Sequence, residues 1–139
     1  MSLVKKLKFC VASGFEGRLT LNGQPASGAR VVRKFNWKDE KGVTEETIAD
    51  QDGWFSLPVH WDVFRYVLPV AQFVSFQSIF VHYQGRKYHV WEIGKLEESE
   101  YGEFGGKPEN FRCELTDELR GVDLEYGFVT TSCYWECAE

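Results

Sequence analysis

The sequence has few of the residues that carry catalytic or metal-binding chemistry. Its 139 residues include only three histidines, four cysteines and one methionine. It contains neither a G-x-S-x-G nucleophile elbow nor a glycine loop that ends in Lys-Ser/Thr and could cradle phosphate. No apolar run is long enough to cross a membrane. These absences predict a protein that is not an enzyme, holds no cofactor or metal and has no membrane span.

The chain also lacks an excess of basic residues. It has 21 acidic and 16 basic side chains and a net charge of −5. Nucleic-acid partners require a basic surface, because most of their affinity comes from phosphate contacts. The charge balance therefore excludes nucleic acid as the expected partner and favours a basic protein through electrostatic steering.

The first residues, MSLVKKLKFCVASG, do not form a secretory signal, because the apolar stretch after the lysines is too short. The sequence therefore predicts a cytoplasmic protein, or a periplasmic one if a leader has been removed. The cysteines Cys10, Cys113, Cys133 and Cys137 allow three pairings. In an extended tail, Cys133 and Cys137 would lie about 13 Å apart, which is too far for a disulfide. Reduced thiols are expected, and one disulfide and a metal site are left open as alternatives.

Aromatic residues make up 16% of the chain, with eleven Phe, six Tyr and five Trp. Large flat side chains suit both sandwich cores and binding faces. The length fits one domain, residues 1–139, which is large enough to bury a core without metals or disulfides. Composition alone does not separate core rings from interface rings.

Residues 14–58 show the clearest pattern, two β-hairpins in succession. Phe15, Gly17, Leu19 and Leu21 alternate with polar residues, which is typical of a half-buried strand. Asn22-Gly23 supplies the positive backbone angles of a tight turn. A further turn at 50–53 precedes another alternating strand. The predicted inward face consists of Leu19, Leu21, Ala29, Val31, Phe55 and Leu57.

These residues carry a resemblance. The segments N-G-Q-P-A-S-G-A-R-V and T-I-A-D-Q-D-G-W-F-S-L resemble the carboxypeptidase regulatory-like domain, one of the transthyretin-like (prealbumin-like) β-sandwiches. The whole chain is also similar to a family of short, uncharacterised bacterial proteins built on this domain. The resemblance implies a sandwich fold and brings no active site, since its motifs are turn glycines and core positions.

The rest of the chain fits an antiparallel β-sandwich of about seven or eight strands with at most one or two short helical turns. Residues 59–76 could form a helix or strands. Residues 75–91 predict a hairpin, and 94–110, rich in Glu and Gly, predict an exposed loop. Short strands are expected near 111–115 and in the tail.

Two motifs resemble metal sites. A hairpin that turns at Gly85-Arg86 would set His82 opposite His89, so a small metal-dependent enzyme or metal-binding protein is an alternative reading. A register shifted by one residue would separate the two rings. Asp50-x-Asp52-Gly53 resembles the start of a calcium loop but lacks the glutamate that completes it. A structural turn and a cross-strand aromatic pair are the competing interpretations.

Tryptophans are the remaining candidates for function. Trp37, Trp54 and Trp91 are the candidate partner-binding residues, because Trp, Tyr and Arg dominate interface energetics. Trp54 lies out of phase with Phe55 and Leu57, so it should leave the core face. Either residues 59–76 or a partner would then cover it. The sequence predicts a non-enzymatic protein-binding sandwich, such as an immunity or accessory partner of a secreted bacterial effector. A carbohydrate-binding module, with Trp54 and Trp91 as stacking platforms, is a further alternative.

Overall fold

The expectation of an all-β protein is confirmed. A computed structural model describes residues 5–37, 42–66, 74–125 and 127–138. These residues contain one 3₁₀ turn, Gly102–Phe104, and no helix that is long and apolar enough to cross a membrane. Their strands are β1 (Lys5–Ala12), β2 (Phe15–Leu21), β3 (Gln24–Pro25), β4 (Arg30–Trp37), β5 (Val43–Ile48), β6 (Trp54–Leu57), β7 (His60–Tyr66), β8 (Ser75–Tyr83), β9 (Arg86–Lys95), β10 (Pro108–Glu114), β11 (Arg120–Leu124), β12 (Gly127–Thr131) and β13 (Cys133–Cys137).

Two large sheets share one core. One has the order β13-β10-β2-β3, with β6 paired to the remaining part of β2, and is called here the five-stranded sheet. The other has the order β11-β12-β9-β8-β4-β5 and is called the six-stranded sheet. Strands β1 and β7 form a separate antiparallel pair. The arrangement is an all-β sandwich-like fold.

The described residues form thirteen strands, more than the seven or eight expected. One reason is that β3 is only two residues long. Another is that β7 pairs with β1 as a strand, which settles the choice between helix and strand for residues 60–66. Residues 67–73, part of the same ambiguous segment, lie outside the described residues.

The turn residues of the 14–58 pattern are placed as expected, but the strands they join are not hairpin partners throughout. Asn22 and Gly23 have φ angles of 52° and 79°, and the hairpin they form is only two residue pairs deep. After Pro25, which cannot donate to a ladder, the chain crosses to the six-stranded sheet as β4. At the Asp50–Gly53 turn the chain returns to the five-stranded sheet, where β6 pairs with β2. The two successive hairpins are thus one short hairpin followed by two crossings.

The predicted inward face is confirmed for all its residues except Leu21, which is only partly buried. Five of its six members are at most 5% exposed: Leu19, Ala29, Val31, Phe55 and Leu57. Leu21 is partly buried and packs against the same cluster. Val81 and Val129 of the six-stranded sheet are fully buried against this cluster. The core therefore forms where the inner faces of the two sheets meet.

Aromatic rings fill one part of this core. Phe15 lies 4.8 Å from Phe111 and 5.1 Å from Phe104, measured between ring centroids. Trp91 lies 5.2 Å from Phe104. A Cβ atom at Gly17 would lie only 2.7 Å from the Phe111 ring. Glycine at this inward position therefore allows the rings to approach the strand backbone.

Residues 94–110 were expected to form an exposed loop; the segment begins in β9 and ends in β10, and the part between them is mostly exposed or half-buried apart from two residues. Lys95 still belongs to β9, and Glu103 and Phe104 are buried. The Glu103 carboxylate accepts hydrogen bonds from the Ser13 backbone N–H (2.8 Å) and hydroxyl (2.7 Å) and faces Lys95 Nζ at 3.8 Å. The segment turns inward because it supplies the carboxylate that satisfies these buried donors.

The cysteines form one disulfide, Cys113–Cys133, between neighbouring strands β10 and β13. Cys10 is a buried free thiol and Cys137 an exposed one. Burial raises the pKa of the Cys10 thiol, which keeps the thiol protonated. The expectation of reduced thiols is therefore wrong for Cys113 and Cys133, and the alternative of one disulfide holds for a pair that sequence spacing does not single out.

Glu114, at the end of β10, holds the turns at one end of the sandwich. Its carboxylate accepts hydrogen bonds from the backbone N–H groups of Asn22 (3.0 Å), Gly23 (2.7 Å) and Thr116 (3.0 Å). It also accepts from the hydroxyls of Thr20 and Thr116. Partial burial by itself raises the pKa of Glu114, but these hydrogen bonds together outweigh burial and lower the pKa to about 2.

Phe55 tests the core. We expect Phe55→Ala to lower the free energy of unfolding by about 3–5 kcal/mol, because it leaves a cavity beneath Gly17 and Phe15. Urea denaturation followed by tryptophan fluorescence measures the change. The matched control is Ser56→Ala, the exposed neighbour on the same strand, which should change stability by less than about 0.5 kcal/mol. Equal effects of the two substitutions would contradict the assignment of the inward face.

Glu114 tests the turn anchor. Its folded pKa lies below its unfolded value, so its ionised form contributes stability that is present above about pH 4.5 and is lost as the pH falls towards 2. Glu114→Gln should cost about 1–3 kcal/mol at pH 7, and the difference from the wild type should shrink at pH 3. Urea denaturation at both pH values checks this. Glu118→Gln, an exposed control, should show neither effect.

Candidate functional site

The outer surface of the five-stranded sheet carries a row of two aromatic and two arginine side chains. Trp54 on β6 is paired with Arg18 on β2, Arg18 is in register with Arg112 on β10, and Arg112 is paired with Tyr134 on β13. Residues in register on neighbouring strands point to the same side of a sheet. This row, together with Arg120, which lies against Tyr134, is called here the Trp54 face.

Trp54 is exposed for the reason the alternation predicts. Phe55 and Leu57 on the same strand point into the core, so Trp54 points out and remains 40% exposed. Within the segment proposed as a cover, the described strand β7 pairs with β1, and the Trp54 side chain keeps its exposed fraction. Trp54 therefore remains accessible at the surface.

The turn before Trp54 fixes the position of its strand. The Asp50 carboxylate accepts hydrogen bonds from the backbone N–H groups of Asp52 (2.9 Å) and Trp54 (3.0 Å). Arg18 donates from Nε to the Asp52 carbonyl (2.9 Å) and lies 6.0 Å from the Trp54 ring centroid. The Asp50-x-Asp52-Gly53 motif thus acts as a structural turn, with an Asp50 carboxylate oxygen bound to backbone donors.

The other end of the row is a stacked cation and ring. The Arg120 guanidinium lies 3.7 Å from the Tyr134 ring centroid, and Arg112 lies 5.8 Å from it. Arg120 also donates to the Cys133 carbonyl (2.6 Å), which holds its guanidinium beside the strand. Tyr134 is 44% exposed. Sequence reasoning missed these residues. For Tyr134 a signal existed, because it is adjacent to Cys133 in a predicted strand and the two side chains must point to opposite faces.

Trp91, the second predicted partner-binding residue, is only 1% exposed, so it offers no surface ring. The cause is a β-bulge in β9: Phe80 is paired with His89 and Ile79 with Trp91, which leaves Val90 as an extra residue. Val90 and Trp91 are consequently both buried. The expectation of Trp91 as a stacking platform was wrong, because a bulge shifts the alternation by one residue.

Trp37, the third predicted residue, lies at the end of β4 and belongs to a different part of the molecule. Its Nε1 donates to the Asp62 carboxylate on β7 at 2.7 Å. Its ring meets Phe9 edge-on, with 5.4 Å between centroids. Trp37 is half-buried and joins the β1–β7 pair to the six-stranded sheet. The structure does not bring it together with Trp54.

The two histidines of the predicted metal pair are not opposite each other. The turn lies at Gln84-Gly85, one residue earlier than the pair requires, so His82 is paired with Lys87 and His89 with Phe80. His89 stacks on Phe80 with 4.7 Å between ring centroids. Within the described ranges, no three His, Cys, Asp or Glu side chains form a group that could hold a metal ion.

Two shallow pockets lie away from the Trp54 face. One, of about 500 Å³, is lined by Asn22, Gln84, Arg86, Tyr88 and Thr116 together with two leucines. The other, of about 190 Å³, is lined by the glutamates Glu97, Glu100 and Glu125 and by a glycine-rich turn. Neither contains a histidine or a cysteine, and neither has the mixture of a nucleophile and a base that covalent catalysis requires.

Comparison with known proteins gives a family and no relative of assigned activity. No curated protein matches the chain, and no solved structure matches it either. The matching family model spans residues 15–118, from β2 to just past the end of β10. Trp54, Arg18 and Arg112 lie inside the matched range, and Arg120 and Tyr134 lie beyond it. Because the match covers well over half of the chain, this protein belongs to the family described as Domain of unknown function (DUF6795).

Proposed function

We propose that this protein is a non-enzymatic β-sandwich that binds another protein through the Trp54 face. The observation that carries the proposal is the register of Trp54, Arg18, Arg112 and Tyr134 across four strands. Trp, Tyr and Arg are the residues that contribute most to protein interfaces. Here they form one continuous row rather than scattered exposed positions.

The rigidity of the face supports this function. All four side chains of the row stand on hydrogen-bonded strands, and the Cys113–Cys133 disulfide joins the two strands that carry Arg112 and Tyr134. A preorganised surface loses little conformational freedom on binding, which leaves more of the contact energy for affinity. An exposed indole ring also gains from being covered by a partner.

The proposal of a non-enzymatic role is supported by the location of the reactive side chains. Ser13, Glu103 and Lys95 form the cluster that most resembles a catalytic group, and each is at most 2% exposed. Ser13, which follows β1, donates a hydrogen bond to Glu103 in the 3₁₀ turn, and Lys95 of β9 forms an ion pair with the same carboxylate. Groups that a substrate cannot reach serve the fold.

The finer fold assignment that we propose is a carboxypeptidase regulatory-like, transthyretin-like sandwich. Its support is the sequence resemblance of residues 14–58 and the occurrence of Asn22-Gly23 and Asp50–Gly53 at turns. Such a fold specifies no chemistry by itself. A short, acidic, aromatic-rich chain of this kind suits an immunity or accessory partner of a bacterial secreted effector, with a cytoplasmic location. A toxin gene beside the gene for this protein would support that role.

Trp54→Ala tests the proposed function. We expect the variant to fold, with an unfolding midpoint close to that of the wild type, since the ring lies outside the core. We expect it to bind its partner at least about 30-fold more weakly, the effect of removing an interface hot spot. The partner is isolated by cross-linking in the native host, and its affinity for each purified variant is then measured by calorimetry.

Trp61→Ala is the matched control. Trp61 is 41% exposed, almost the same as Trp54, but it lies on β7 in the separate β1–β7 pair, under Lys8. We expect its removal to leave partner affinity unchanged. Equal losses for both variants, or a large loss of stability with unchanged affinity for Trp54→Ala, would refute the proposed face. Binding of a sugar and of no protein would favour the carbohydrate alternative.

A further inference from the structure

The arginines of the Trp54 face determine which kind of partner it fits. We infer that the partner presents an extended segment with an acidic residue between two apolar ones, in the pattern apolar-x-Asp/Glu-x-apolar. The acidic side chain lies over Arg18 and Arg112, and the apolar ones lie over Trp54 and Tyr134. The inference rests on the proposed function, because it concerns the same face.

The first observation is that two arginines are direct neighbours. Arg18 and Arg112 are in register on the parallel strands β2 and β10. Like charges directly opposite each other in a sheet are destabilising. Glu136 offsets part of this repulsion at Arg112, and an anion bound between the two arginines would offset more of it.

The second observation is that these arginines have free hydrogen-bonding capacity. In the described part of the chain, Arg18 donates only from Nε, to the Asp52 carbonyl, which leaves both terminal nitrogens without an acceptor. Arg112 donates only from Nη1, to the Asn110 carbonyl and to Glu136. A guanidinium presents five N–H donors in a planar fork that matches a carboxylate. A carboxylate placed between the two arginines would therefore meet donors from both.

The nearby acidic side chains do not satisfy the row. Glu114, the next outward residue on β10, has its carboxylate committed to Asn22, Gly23 and Thr116. Glu136 pairs with Arg112, but both side chains are about half exposed, at 58% and 43%. Exposed pairs of this kind contribute little. A carboxylate from a partner could displace Glu136 without a large loss.

The arginines of this face form a local basic group on an acidic molecule. The net charge of −5 favours a basic partner, yet Arg18, Arg112 and Arg120 lie side by side on this surface. At physiological ionic strength, charges act over about 8 Å, so a docked segment responds to the local arginines. Charge complementarity therefore favours an acidic segment at this face.

The spacing of the row gives the length of the segment. Three inter-strand gaps of about 4.8 Å separate Trp54 from Tyr134, which makes about 14 Å. An extended chain rises about 3.4 Å per residue, and every second side chain points to the same side. A segment lying across the strands would thus place residues i, i+2 and i+4 over Trp54, the arginine pair and Tyr134. The central position is the acidic one.

A set of labelled peptides tests the inference. The probes are fluorescein-labelled peptides with the core Phe-Ser-Glu-Ser-Phe and the same sequence with Gln, Lys or phosphoserine in place of Glu. We expect the Glu peptide to bind at least about fivefold more tightly than the Gln peptide at low salt, and the Lys peptide more weakly still. Fluorescence anisotropy measures the affinities. Equal binding of the Glu and Gln peptides would overturn the inference.

Variants assign the effect to the row. The double variant Arg18→Gln, Arg112→Gln should abolish the preference for Glu over Gln, and the double variant Arg30→Gln, Arg86→Gln should keep it. Arg30 and Arg86 are exposed arginines of the six-stranded sheet. Replacing both changes the net charge by the same amount as replacing Arg18 and Arg112. A loss of preference in both would show a non-specific charge effect and overturn the inference. If the phosphoserine peptide binds more tightly than the Glu peptide and this binding depends on the two arginines, the inferred acidic residue is overturned in favour of a phosphorylated one.

The native partner separates the two proposals. If the Arg18, Arg112 double variant keeps full affinity for the partner and Trp54→Ala loses it, protein binding at this face stands and the acidic segment is refuted. If neither variant affects the partner, the proposed function itself fails. Unfolding midpoints equal to that of the wild type show that the variants are folded.

Discussion

Packing of the inner faces of the two large sheets against each other determines where almost every other side chain points. Leu19 and Phe55 of one sheet meet Val31 and Val81 of the other in a core that excludes water. Apolar burial of this kind is the main favourable term in folding. Because successive side chains of a strand point to opposite faces, a residue that points into the core has neighbours that point outward. The Trp54 face is thus a consequence of core packing, since Phe55 inside requires Trp54 outside.

A second set of contacts holds the smaller β1–β7 pair to the sandwich. Arg33, which is 1% exposed, donates to the Ser13 carbonyl (2.6 Å) and to Glu45 Oε1 (2.6 Å). Glu103 accepts from Ser13 on the other side. A buried charge is tolerated only when it is paired and hydrogen-bonded. The segment around Ser13 is therefore held in one position by hydrogen bonds and ion pairs, whereas the sandwich core is stabilised by its buried apolar surface.

The Trp54 face depends on strands that are far apart in the chain. Its row comes from β2, β6, β10 and β13, Arg120 comes from β11 of the six-stranded sheet, and β2 pairs with β10 in parallel. Parallel pairing brings Arg112 beside Arg18, an arrangement that no local hairpin could produce. The residues matched by the family model include β2, β6 and β10 but not β13. Trp54, Arg18 and Arg112 therefore lie within the matched range, and Tyr134 and Arg120 lie beyond it.

The sequence alone determined the fold class, the turns and the phase of the clearest strands. Alternation placed Leu19, Phe55 and Leu57 inward and Trp54 outward, because period two follows from the backbone itself. Asn22-Gly23 and Asp50–Gly53 marked turns, because their residues favour those backbone angles. These are local properties, and local properties can be read from a single chain.

The tertiary structure decided the rest. It placed the strand after Pro25 in the other sheet, because strand partners depend on long-range packing rather than on the turn between them. It buried Trp91, because one extra residue at Val90 shifts the phase of β9, and a bulge leaves no mark in the alternation pattern. It separated His82 from His89 by a one-residue change in the turn. It also brought Arg18, Arg112 and Tyr134 beside Trp54, because register across four strands is set only when the sheet assembles.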